Sequence, residues 1–133
     1  MMYKFTLSTK PEEMINITRF VKDSLSQSQL KDGFVVVFVP HTTAGVTINE
    51  NADPDVQRDL LLGLSKAFPD RQEFRHSEGN SSAHLRATAV GSSVTILVEN
   101  AALILGTWQG VYFCEFDGPR NRSFYVKTIS QDI

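Results

Sequence analysis

The sequence predicts a single α+β domain over residues 1–133, with mostly antiparallel sheets and two to three helices. Three observations predict it. Segments with strand character outnumber helical ones. The helical segments fall between groups of strands rather than alternating with them one by one. With 133 residues and no internal repeat, the chain is one domain's length and far below the ~250 residues of a (β/α)₈ barrel.

The elements follow in order. Tyr3 to Ser8 alternates, with Tyr3, Phe5 and Leu7 on one side and Lys4, Thr6 and Ser8 on the other. Met14 to Ile17 gives a second short strand. Thr18 is placed to cap a helix that carries Phe20, Val21 and Leu25 on one face and ends near Gln29. Asp32-Gly33 is a turn. Phe34 to Val39 is apolar without alternation, as in a central strand covered on both faces, and Pro40 ends its ladder for want of an N–H. Gly45 to Glu50 resumes the β pattern. Asp53, Pro54 and Asp55 open a second helix as cap, first residue and first-turn acid. Its stripe is Val56, Leu60, Leu64 and Ala67, and Pro69 stops it.

Residues 70–80 have no periodicity, and loops this long in a compact domain are more often functional than idle. Ser81 or Ser82 is placed to cap a short helix through Ala83, Leu85 and Ala87, closed by Gly91. Strands are expected at Ser93–Val98, Val111–Phe116 and Ser123–Ile129. A turn at Gly118-Pro119-Arg120-Asn121 joins the last two.

Composition excludes several classes. A net charge of −2 and a pI near 5.9 argue against a nucleic-acid binder and against a polybasic membrane-surface protein. Nine Phe and low net charge exclude disorder. The one cysteine, Cys114, excludes an intrachain disulfide and fits a reducing compartment. The N-terminus lacks a signal-peptide pattern and the longest apolar run, Phe34–Val39, is too short for a bilayer. The expected location is cytoplasmic.

The residues able to carry chemistry are few. His41, His76 and His84 all fall at irregular or boundary positions. Three converging imidazoles would make an open zinc-type site, whereas three separate ones are surface or cap residues. Glu50 shares strand parity with Val46 and Ile48, so its carboxylate is either at a wet strand end or held for a purpose. Asn49 and Asn51 flank it, and Asp53 is better read as a cap. Trp108, between Gly106 and Gly110, is either a core residue at a sheet end or a platform for a flat ring, with Gln109 as a neutral hydrogen-bonding group. Tyr112, Cys114 and Phe116 share one strand face and Phe113 and Glu115 the other. That makes Cys114 a packing residue and Glu115 a candidate acid or base. Arg120 and Arg122 leave a tight turn, either to bind phosphate or as solvated charges. No phosphate-binding glycine motif occurs.

Several of these stretches together resemble one family. They are Val39-Pro40-His41-Thr42-Thr43-Ala44, Ile48-Asn49-Glu50-Asn51-Ala52-Asp53-Pro54-Asp55 and Gly79-Asn80-Ser81-Ser82-Ala83-His84-Leu85, then Leu105-Gly106-Thr107-Trp108-Gln109 and Cys114-Glu115-Phe116-Asp117-Gly118-Pro119-Arg120. The chain resembles the YjbQ-like family, often labelled secondary thiamine-phosphate synthase, along nearly its whole length. The resemblance implies a small α+β homotrimer with these polar residues gathered in one cleft. It implies weak or secondary joining of a pyrimidine diphosphate to a thiazole phosphate, with release of pyrophosphate. The alternative is a non-catalytic trimer that binds a metal or a phosphorylated metabolite. Under the enzyme reading Glu50, His84 and Glu115 are catalytic, and Thr42, Asn49, Asn80, Trp108, Gln109 and Arg120 hold a small phosphorylated substrate. His41, His76 and His84 would hold a divalent metal, zinc or magnesium. Neither nucleic acid nor membrane is an expected partner.

Overall fold

The computed structural model describes residues 1–132. Eight strands and three helices follow in the order β1 (Met2–Ser8), β2 (Glu13–Asn16), α1 (Thr18–Ser28), β3 (Gly33–Phe38), β4 (Ala44–Glu50), α2 (Pro54–Ala67), α3 (Ser81–Val90), β5 (Ser93–Glu99), β6 (Ala102–Leu103), β7 (Gln109–Glu115) and β8 (Asn121–Ser130). They form two sheets. One has five strands in the order β1-β8-β3-β5-β6 and the other three in the order β2-β7-β4. All of these pairings are antiparallel, so the expected α+β architecture is what the chain adopts.

The main core lies between the sheets. Val35, Val37, Ile96, Phe124 and Val126 from the large sheet meet Val46, Val111 and Phe113 from the small one, and α1 closes the side with Ile17, Val21 and Leu25. Phe5, Phe20 and Phe124 form an aromatic cluster with ring centroids 5.0–5.8 Å apart, the range in which edge and offset pairs attract. The other face of the small sheet carries Tyr112 and Cys114, which pack with Phe116 against Ala83 and Ala87 of α3 and Leu61 and Leu64 of α2. Each face of β7 is therefore buried in a different cluster, as its alternation predicts.

Local chemistry explains most boundaries and corrects three expectations. Asp53 caps α2, its Oδ1 accepting from the Asp55 N–H at 2.9 Å, with Pro54 as first residue. Thr18 is not the cap of α1. Ile17 occupies that place, and the Thr18 hydroxyl instead accepts the Val111 N–H at 2.8 Å, fastening the helix to β7. Asn80, not Ser81 or Ser82, is the cap residue of α3. Ser82 is buried and donates to the Phe68 carbonyl, and Leu85 of the expected apolar stripe faces outward. The two-residue strand β6 carries too little pattern to be foreseen. Its hairpin with β5 turns through Asn100 and Ala101, both left-handed at φ 52° and 61°.

Candidate functional site

The expected site residues separate into two groups at opposite ends of the three-stranded sheet. In the β4–β7 ladder Ala44 pairs with Glu115 and Glu50 pairs with Gln109. Six residue steps at ~3.4 Å put those two ends roughly 20 Å apart. Thus Glu50, Asn49, Trp108 and Gln109 gather at one end, and His41, Thr42, His76, Asn80, His84, Glu115 and Arg120 belong to the other. The single cleft expected from the sequence is not formed within one chain.

The histidine end is a cleft of about 380 Å³ lined by Pro40, His41, Thr42, Thr43, His76, Glu78, Asn80, His84, Arg120 and Arg122. Three segments build it: the β3–β4 connection, the run ahead of α3 with its first turn, and the β7–β8 turn. Gly118 seats that turn. Its N–H donates to the Pro11 carbonyl at 2.9 Å, and a Cβ there would lie 2.0 Å from the Lys10 carbonyl oxygen.

Beneath the cleft lies an ion pair. Glu115 is fully buried and Arg122 is 6% exposed. Glu115 Oε1 accepts from Arg122 Nε at 2.7 Å and from the Thr9 hydroxyl at 2.6 Å. Its Oε2 accepts from Arg122 Nη2 at 2.5 Å and from the Asp117 N–H at 3.0 Å. Arg122 Nη2 also donates to the Thr43 hydroxyl at 2.8 Å. Burial alone would raise the Glu115 pKa, but the bonds from Arg122, Thr9 and the Asp117 amide outweigh it and hold the carboxyl below its usual 4.5. With both oxygens engaged, Glu115 positions the turn and is a poor proton acceptor. Arg122 is correspondingly not a solvated turn charge.

His41 completes a sheet rather than a metal shell. β3 ends at Phe38 and Pro40 has no N–H, so the ladder against β8 stops there. The His41 ring takes over: its Nε2 lies 2.9 Å from the Ser123 amide nitrogen and 3.1 Å from the Ser123 carbonyl oxygen. An amide N–H can only donate and a carbonyl can only accept, so Nε2 serves one or the other according to the tautomer, and in both cases it is held by the β8 backbone. Burial lowers the His41 pKa from 6.5, and the charge of Arg122 adds to that.

The remaining groups line the opening. His76 and His84 meet edge to face, ring centroids 5.2 Å apart. Arg120 Nε donates to the Asp117 carbonyl at 2.7 Å and Nη2 to Asp117 Oδ2 at 3.0 Å. The other Arg120 N–H groups remain for a ligand. Asn80 Nδ2 also donates to Asp117 Oδ2, at 2.8 Å, and its buried Oδ1 has no partner among the described residues. Burial tends to raise the Asp117 pKa, but the Asn80 and Arg120 bonds bring it below the ordinary value.

At the far end it is the backbone that the hydrogen bonds fix. The Asn51 N–H donates to the Trp108 carbonyl at 2.8 Å and Asn51 Nδ2 to the Gln109 carbonyl at 3.1 Å. Gln57 donates to the Glu50 carbonyl. Gln109 Oε1 accepts the Gly106 N–H at 2.8 Å and so closes its own loop. Trp108 is 64% exposed, which removes the core reading of that residue. Cys114 is buried packing, its thiol pushed up to about 12 by burial.

The residues do not fit a metal centre. Among the described residues no group of three or more His, Cys, Asp or Glu side chains is arranged to hold a metal ion. Sequence reasoning also missed Thr9 and Thr43, which bond the Glu115–Arg122 pair, and, away from the cleft, the buried Arg86 that pairs with Glu12 at 3.0 Å beside the Phe116 ring. A signal existed for Arg122. By alternation it shares a face with Phe124 and Val126, and an inward Arg needs an inward acid.

Comparison with known proteins places this architecture. The family described as UPF0047 protein YjbQ-like matches residues 3–131. A UPF0047 protein of Methanocaldococcus jannaschii is 51% identical over 130 residues, 97% of this chain and 94% of that protein. The UPF0047 protein YugU of Bacillus subtilis is 53% identical over 121 residues, 90% of this chain and 92% of that one. A crystal structure of an uncharacterized conserved protein of the same family from Clostridium acetobutylicum superposes with TM-score 0.93 at 54% identity, covering 96% of this chain and 99% of that one. These relatives bear family names without an assigned reaction, and none of the three is named a thiamine-phosphate synthase. The expectation of thiamine-phosphate synthase activity through a metal-binding histidine cleft is therefore overturned.

Proposed function

This chain belongs to the YjbQ-like UPF0047 family, and from that premise we propose that its histidine cleft binds a small phosphorylated molecule. The observation that carries this reading is the close pair His76–His84 beside Arg120 in one cleft. Arg120 keeps N–H groups free for phosphate oxygens after bonding Asp117, a geometry to which guanidinium is suited. His84 lies in the first turn of α3, whose cap residue Asn80 makes no side-chain cap bond, so the turn's amides also favour an anion. The Glu115–Arg122 pair below fixes the turn that presents Arg120. The His41 ring supplies a further polar edge, and Thr42 and Asn80 supply hydroxyl and amide groups.

Glycerol 3-phosphate, with inorganic phosphate as the minimal probe, tests it. Either should raise the thermal midpoint of the wild-type protein, since a ligand at ~100 Kd stabilises by about 2.7 kcal/mol. Arg120→Ala and His84→Ala should lose the shift while unfolding near the wild-type midpoint without ligand. No shift in the wild-type protein at large ligand excess would defeat the reading.

A homotrimer in the cytoplasm belongs to the same proposal. The outer face of the large sheet leaves Phe38, Leu97 and Met2 exposed, which is the kind of surface another copy covers. Sedimentation at three times the chain mass of 14.9 kDa is expected, and a monomer would contradict it.

A further inference from the structure

A second cavity lies away from the histidine cleft and is about twice its size, near 810 Å³. That is within the range of small-molecule sites. It has three walls. Lys22, Leu25, Ser26 and Gln29 come from α1 and its end, Leu30 and Lys31 from the α1–β3 connection, and Ala101, Ala102 and Leu103 from the β5–β6 hairpin.

The walls differ in chemistry. Lys22, Ser26 and Gln29 recur at helical spacing, so one polar stripe of α1 borders the cavity. Leu25, Leu30 and Leu103 are apolar and belong to, or pack against, the main core. The charged residues of the lining are Lys22 and Lys31, on a chain of net charge −2. Among the described residues neither lysine takes part in an ion pair. The nearby Asp32 turns its Oδ1 to the Asn100 N–H at 3.2 Å instead.

The hairpin wall is held in an uncommon conformation. Asn100 and Ala101 are both left-handed, as in the two-residue turns that favour glycine at the second position. The conformation is kept by a bond from the Ala101 N–H to the Lys31 carbonyl at 2.9 Å, which ties the hairpin to the connection carrying one of the lysines. With alanine at both 101 and 102 the wall ends in methyl groups.

We propose that this cavity binds an amphiphilic organic anion, a compact apolar body bearing one carboxylate, sulfonate or phosphate. The leucines take the body and the two ammonium groups the head. The site is separate from the histidine cleft and stands or falls without it.

The probe is 1-anilinonaphthalene-8-sulfonate, followed by its fluorescence. Saturable binding to the wild-type protein is expected. The double variant Lys22→Glu/Lys31→Glu and the filling variant Ala102→Phe should each weaken it at least about tenfold, equivalent to ~1.4 kcal/mol. N-phenyl-1-naphthylamine, which lacks the sulfonate, should bind about tenfold or more weaker than the sulfonate probe. Unchanged affinity in both variants, or equal binding of the neutral dye, overturns the proposal. Amide shifts mapped by NMR on the wild-type protein decide the matter even where a variant fails to fold. Shifts at Lys22, Gln29, Lys31 and Leu103 support the site. Shifts concentrated at Phe38, Tyr125 and Ile129, the apolar groove of the large sheet's outer face, overturn it. Displacement of the dye by hexanoate or by hexyl phosphate supports the site and identifies the preferred head, and displacement by neither overturns it.

Discussion

The two ends of the three-stranded sheet are built on opposite plans. At the histidine end charged side chains are paired and fixed: Glu115 with Arg122 in the interior, Asp117 with Arg120 at the surface, and His41 against the Ser123 backbone between them. At the tryptophan end the backbone is fixed by Asn51, Gln57 and Gln109, while Glu50 keeps contact with water and Trp108 is exposed. A site that must present groups at set positions needs the first plan, because unpaired charges in low dielectric are costly and paired ones are rigid. The second plan presents side chains without orienting them, and suits a surface that waits for another molecule.

The largest expected effect breaks the histidine end alone. Arg122→Leu leaves Glu115 buried without its cation, and losing one partner of a buried pair costs ~3–5 kcal/mol. Glu50→Gln at the other end should stay within about 0.5 kcal/mol. Urea unfolding measures both, and similar losses would erase the contrast drawn here. Next in size is Gly118→Ala. The added carbon would meet the Lys10 carbonyl at 2.0 Å, and crowding of this kind costs ~1–3 kcal/mol. It should also weaken phosphate binding, because the turn that carries Arg120 must shift.

These contrasts were only partly legible in the sequence. Asp53-Pro54-Asp55 announced α2 because a cap acts on the next two residues and needs nothing distant. The faces of β7 followed from alternation. The splitting of the expected site could not be read, because it depends on β4 pairing with β7 so that Glu50 faces Gln109 and Ala44 faces Glu115. His41 is harder still. Its partner is an amide 82 positions away, and only the end of the β3 ladder makes that amide available. Asn80 rather than a serine is the cap residue of α3, and Ser82 is instead drawn inward to the Phe68 carbonyl.

Acid should attack the histidine end in two stages. Folding depresses the His41 pKa below 6.5, so the unfolded chain takes up that proton first. Stability is therefore lost as pH falls through 6.5 towards the lower folded value, because the unfolded state binds more protons. Glu115 acts lower down. Its contribution is complete above 4.5 and disappears as pH falls through its depressed folded value. In His41→Gln the first stage should vanish and the second remain, as read from urea midpoints between pH 7 and pH 3. A first stage that persists unchanged would mean that His41 is not the group responsible.

The smallest effect on stability is expected at Trp108, and there the measurement is spectroscopic. Trp108→Ala should change stability by no more than about 0.5 kcal/mol, because the indole is 64% exposed and its loop is held by the Gly106, Gln109 and Asn51 backbone contacts. As the single tryptophan of the chain it reports on this end alone. In dilute solution its emission should be that of a hydrated indole, open to acrylamide. If the proposed assembly covers this end, raising the protein concentration should shift the emission to the blue and slow the quenching, in step with the sedimentation change. Emission that stays red through assembly would assign the contact to another face, with the exposed sheet surface at Phe38 and Leu97 the next to test. In either case the exposed indole reports what covers the tryptophan end, whereas the histidine end already holds its charged groups in place through Glu115 and Arg122.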